Sequence, residues 1–197
     1  KLIYLVRNPV GRLLSQYHHH VNVDKLNLQI DEAIQACPEL INYSKYAMQL
    51  SPWFELFSND NIKIIVFEEY IKNRVETIES VCEFLDIHVI TEQVHVEDAF
   101  NRGEGRPMQR GKLADLSKGP FYQRFIRPLV SRSARDAIRK TFLPKAQPKQ
   151  YPSIESVQFV IAQLEEDMES FQSMLGCDKL PWDLSNAVQE FTNANNH

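Results

Sequence analysis

LIYLVRNPVGRLLSQY, residues 2–17, is the stretch whose reading decides the fold. It opens on Leu2-Ile3-Tyr4-Leu5-Val6, an unbroken apolar run of strand length, the pattern of a strand covered on both faces. Asn8-Pro9 follows, an N-cap residue beside the one favoured at the first helical position, so a helix is predicted from there to about Val21. At about 100° per residue, Val10, Leu13, Leu14, Tyr17 and Val21 fall on one face, and Asn8, Arg12, Ser15 and His19 cluster opposite. Arg7 stands at the carboxyl end of the strand, where open parallel sheets bind ligands. The adjoining helix N-terminus, with free N–H groups and a positive dipole end, favours an anion. A guanidinium there and the Ser15 hydroxyl along the helix would grip one phosphate from two sides. The same spacing also fits solvated surface arginines and an ordinary helical serine, and by itself leaves both readings open.

Outward from this unit, a short helix is predicted from Ile30 to Cys37, stopped by Pro38, and a longer one from Leu40 to Phe57 with Trp53, Phe54 and Phe57 on its buried side. Ile62 to Phe67 is the next strand, and a helix from Val75 to Leu85 carries Ile78, Val81, Cys82 and Leu85 at helical spacing. Strand, helix, strand, helix is an α/β pattern with a parallel sheet. Residues 99–112, AFNRGEGRPMQRGK, read as an exposed basic loop. Phe121 to Phe142 and Ser153 to Leu175 read as helices, the second with Ser153 as N-cap and Gly176 as C-cap. Residues 186–197 are expected to be a disordered tail, leaving one domain over 1–185.

Composition narrows the function. With 43% hydrophobic and 24% charged residues, the chain has the make-up of an ordinary globular domain. A net charge of −4 excludes a nucleic-acid binder working through a general basic footprint. No apolar run approaches the roughly 20 residues of a membrane span, so no membrane segment is expected in this chain. The start at Lys1, directly before a strand, reads as a cut through a larger protein, which leaves the compartment open: cytoplasmic for a bacterial protein, the Golgi membrane if a missing N-terminus carries an anchor. Cys37, Cys82 and Cys177 are odd in number and lack CxxC spacing, so they read as packing residues. His18, His19 and His20 point about 100° apart on a helix and cannot converge on one ion; no metal is expected. Glu165-Glu166-Asp167 reads as a solvated helix face.

Arg7-Asn8-Pro9-x-x-Arg12-x-x-Ser15-x-Tyr17 resembles the 3′-phosphate-binding motif of sulfotransferases that use 3′-phosphoadenosine 5′-phosphosulfate (PAPS). That motif has the form Arg-Asx-Pro-x-x-Arg-x-x-Ser-x-Tyr after a strand like LIYLV. Two further segments are similar to the family in the same order. The first is Tyr46-x-x-x-Leu50-x-x-Trp53-x-x-x-Phe57 before the second strand, followed by Glu68-Glu69-Tyr70 and a helix ending Phe84-Leu85, with Asp86 where glycine is common. The second is Leu164-x-x-Asp167-x-x-x-Phe171-x-x-x-Leu175-Gly176 with Trp182, as in bacterial and heparan-type members.

The resemblance implies a P-loop-like parallel sheet flanked by helices, with a helical C-terminal part. It implies that Arg7 and Ser15 bind the 3′-phosphate of PAPS, that Arg12 braces the loop, and that Gly105 and Arg106 form a second nucleotide contact in the 99–112 loop. It implies sulfuryl transfer to a hydroxyl or amine of a carbohydrate, lipid or small molecule, with no metal. The family's PKxGTT-like phosphosulfate loop is absent from the sequence. By the resemblance that loop and the catalytic base belong upstream of Lys1, so no catalytic residue is assigned and the chain alone is expected to be inactive. Two rivals stay open: a P-loop kinase, with Glu68 and Glu69 as weak candidates for its magnesium carboxylate, and a non-catalytic interaction domain retaining the fold.

Overall fold

The computed structural model describes residues 1–23, 25–89, 119–126, 128, 130–131, 149–184 and 186. Strands β1 (Leu2–Val6) and β2 (Ile62–Val66) pair in parallel, in register from Leu2 opposite Ile62 to Val6 opposite Val66. Parallel neighbours need a long crossover. Here it is helical: α1 (Pro9–Asn22), α2 (Ile30–Ala36), α3 (Pro38–Asn42) and α4 (Tyr46–Leu56), then a 3-10 turn at Asn59–Asn61. Helices α5 (Phe67–Lys72) and α6 (Arg74–Leu85) follow β2, and the long α7 (Ile154–Leu175) completes the described core. The α/β expectation holds.

Local signals explain most of α1. The Asn8 side-chain oxygen accepts hydrogen bonds from the Val10 and Gly11 N–H groups at 3.1 and 3.0 Å, Pro9 fills the first turn, and Val10, Leu13, Leu14 and Tyr17 are buried. Helix α7 begins and ends as its caps predict: Ser153 Oγ accepts from Ser156 N–H, and Gly176 closes the helix at φ +60°. Its Val160, Leu164, Met168 and Phe171 enter one core with buried residues of α1, α2, α3 and α4. The break after α6 uses the same left-handed geometry without glycine. Asp86 sits at φ 57°, which explains why glycine suits that position.

Three expectations need correction. The predicted helix from Leu40 to Phe57 is two helices, because the buried Ser44 leaves the helical path and donates its hydroxyl to the Pro9 carbonyl at 2.8 Å. Restarting at Tyr46 sets the phase of α4, so Tyr46, Ala47 and Leu50 are its buried residues. Trp53 and Phe57 are exposed, and Phe54 is partly buried against the core. The second correction concerns β1: Val6 is fully buried but Ile3 and Leu5 are 44% and 55% exposed, so among the described residues the strand is covered on one face. The third is Phe67, which ends the predicted strand but begins α5 in the structure. Of the predicted helix from Phe121 to Phe142, the described part contains a π-type turn at Tyr122–Ile126. Among the described residues no helix is long and apolar enough to cross a membrane, and no group of His, Cys, Asp or Glu could hold a metal ion.

Candidate functional site

The site is built where β1 ends. Arg7 leaves the strand with both backbone groups held by one side chain: its N–H donates to the Tyr46 hydroxyl at 3.2 Å, and that hydroxyl donates to the Arg7 carbonyl at 2.7 Å. Asn8 N–H donates to Glu68 Oε1 at 2.8 Å, tying the turn to α5. The Arg7 guanidinium lies 5.4 Å from the centroid of the Phe67 ring. On its other side is the first turn of α1, where a Cβ on Gly11 would stand 3.2 Å from a terminal guanidinium nitrogen. Glycine at position 11 keeps that space open.

Arg7 Nε is buried and has no hydrogen-bond partner within the described structure. A guanidinium held with one donor unsatisfied is costly to bury, and an anion engaging its terminal nitrogens would offset that cost. The chemistry of this turn therefore fits a phosphate. Ser15 is exposed and stands one helical turn beyond Gly11, on the same side of α1. The structure thus brings Arg7 and Ser15 to one side of one helix. It also alters the predicted source of donors. The Asn8 side chain takes up the Val10 and Gly11 N–H groups, so these two amides are not free donors for an anion.

Arg12 is engaged by a partner of its own. Its Nε donates to the Tyr43 carbonyl at 2.7 Å and its guanidinium rests 5.9 Å from the Tyr43 ring centroid, which braces the turn between α3 and α4. Residues 43–46 make three contacts with the end of β1 and the start of α1: Tyr43 through Arg12, Ser44 through Pro9, and Tyr46 through Arg7. Helix α4 has no side-chain cap of its own. Asp167 of α7 supplies one, accepting from Ala47 N–H at 3.1 Å and Met48 N–H at 2.8 Å. Asp167 is therefore a capping carboxylate and not part of a solvated face.

Burial pushes the Tyr46 phenol up to about 12, against smaller opposing effects from its bond to Arg7 and the charge of Arg12. The hydroxyl stays protonated at neutral pH, as its donation to the Arg7 carbonyl requires. Glu68, a carboxylate of interest to a kinase reading, engages one oxygen with Asn8. Gly105 and Arg106 lie outside the described residues, as does the whole of the 99–112 loop. The histidines serve separate partners. His18 Nδ1 is 2.9 Å from the Leu14 carbonyl while its Nε2 accepts from Gln150 N–H, His20 meets Gln16, and His19 is exposed. The roles of Tyr46, Ser44, Asp167 and Glu68 are not legible in the sequence because their partners lie far away in the chain. The Tyr46, Glu68 and Asp167 positions are visible there as parts of patterns, without these roles.

Residues 1–124 match the family described as the sulfotransferase domain. Over 162 residues, 69% of this chain and 27% of the relative, the sequence is 24% identical to carbohydrate sulfotransferase 15 of Rattus norvegicus. Over 91 residues, 43% of this chain and 31% of the relative, it is 28% identical to 3-alpha-hydroxysteroid sulfotransferase of Cavia porcellus. The chain thus spans less than a third of the length of these relatives. Among solved structures it resembles a sulfotransferase from Alicyclobacillus acidocaldarius, with a TM-score of 0.54 and 17% identity over 91% of this chain and 56% of that one. This likeness agrees with the P-loop-like α/β fold.

Proposed function

The chain belongs to the sulfotransferase domain family, and on that premise we propose that the full-length protein transfers a sulfuryl group from PAPS to an acceptor hydroxyl or amine. The observation that supports the nucleotide half of this reading is the Arg7 guanidinium, its backbone held by Tyr46 and a terminal nitrogen lying against Gly11 in the first turn of α1. Arg7 and Ser15 hold the 3′-phosphate in this proposal, and Gly105 and Arg106 form the second contact. The unit that does so spans residues 1–185.

The acceptor is a carbohydrate, lipid or small molecule bearing a hydroxyl or amine. The carbohydrate and steroid names of the relatives support a hydroxyl. Transfer of this kind is an in-line displacement. A base takes the acceptor proton while fixed cations stabilise the charge that builds on the departing nucleotide. The residues of this chain contribute by binding and orienting; none is assigned as the base. Fixing the 3′-phosphate sets the position of the far end of the same nucleotide, where the reacting group sits, so a positioning loss here reaches the rate.

Calorimetric titration of adenosine 3′,5′-bisphosphate into the full-length protein tests the site. Wild type should bind, and Arg7→Ala and Ser15→Ala should each lose about 1.5–3 kcal/mol, as for hydrogen bonds to a charged group. Unchanged affinity in both variants would remove these residues from the site.

A further inference from the structure

The Tyr46 ring is wholly buried, packed against Phe171 at 5.4 Å, Trp182 at 6.1 Å and Tyr4 at 6.3 Å between ring centroids. Its hydroxyl ignores this apolar setting and closes on both backbone groups of a single residue, Arg7. A side chain that fixes the amide and the carbonyl of one residue restricts the dihedrals on either side of its Cα, and with them the direction of its side chain. Asp167 in turn fixes the first turn of α4, on which Tyr46 is carried. A continuous path of packed rings and hydrogen bonds therefore runs from α7 through the start of α4 to the Arg7 backbone.

We propose that Tyr46 is a positioning residue for the 3′-phosphate site, its hydroxyl setting where the Arg7 guanidinium points. The proposal rests on the phosphate reading above. It differs from a plain core role for Tyr46 in one measurable respect. Loss of the hydroxyl should weaken recognition of the 3′-phosphate and leave the rest of the nucleotide site untouched. A general loss of packing would weaken every nucleotide alike.

The test uses the full-length protein and two ligands, adenosine 3′,5′-bisphosphate and adenosine 5′-phosphate, which lacks the 3′ group. Tyr46→Phe keeps the ring and removes the hydroxyl. We expect it to weaken the bisphosphate by about 5- to 20-fold, change the monophosphate by less than about twofold, and add nothing further in an Arg7→Ala background. Should Tyr46→Phe melt below the assay temperature, Asp167→Asn carries the same comparison. An amide offers one acceptor oxygen where the carboxylate uses two, and it should give a smaller loss of the same selectivity. A variant with the wild-type preference for the bisphosphate, or equal weakening of both ligands, overturns the proposal for Tyr46 alone. A wild-type protein with no preference for the bisphosphate overturns the phosphate reading itself.

Discussion

At Asp86 a side chain occupies the left-handed backbone region that α6 needs in order to end, with Ile87 N–H reaching back to the Cys82 carbonyl. The residue is exposed. Asp86→Gly should therefore raise the unfolding free energy by about 0.5–1 kcal/mol, read as a shifted urea midpoint with unchanged slope. His18 makes the opposite kind of commitment. One ring nitrogen donates to a carbonyl and the other accepts from Gln150 N–H, a pairing that only the neutral ring can make. Burial, reinforced by the positive charge of Lys149, lowers its affinity for a proton below the ordinary value of 6.5. The folded protein thus binds that proton less readily than the unfolded chain. The stability due to His18 is complete above 6.5 and lost as pH falls through the lowered value. Urea midpoints should drop between neutral and mildly acidic pH in wild type, and drop less in His18→Gln.

Elements with local signals were legible and elements shaped by distant partners were not. An apolar run, Asn8-Pro9 and a stripe at helical spacing specify β1 and α1, and Ser153 and Gly176 bracket α7. All of that information lies within a few residues of where it acts. The split between α3 and α4 depends on Ser44 bonding a carbonyl 35 residues away. Tyr46 meets Arg7 across 39 residues, and Asp167 meets Ala47 across 120. Nothing in the periodicity of 40–57 encodes these distances. The candidate site divides along the same line. Its proposed residues Arg7 and Ser15 belong to a local motif, whereas Tyr46, Ser44 and Asp167, which hold Arg7, Pro9 and the start of α4, come from the fold. Removing the cap tests that dependence. Asp167→Ala leaves the first turn of α4 without its acceptor and should cost about 0.5–2 kcal/mol of stability, measured by denaturant unfolding.

In the molecule as a whole, the segment from Arg7 to Gly11 is the point where sheet and helices meet. It follows β1, starts α1, touches α5 through Glu68 and Phe67, and is held by α4, which α7 caps. Ligand binding at such a junction stabilises the fold by mass action, by about 2.7 kcal/mol at a hundred times the dissociation constant. The most direct test of the central claim compares two nucleotides by calorimetry on the full-length wild-type protein: adenosine 3′,5′-bisphosphate, and adenosine triphosphate with magnesium. A sulfotransferase site predicts saturable binding of the bisphosphate and a clear preference for it over the triphosphate. Preference for magnesium–triphosphate, or a folded protein that binds neither, would contradict the account.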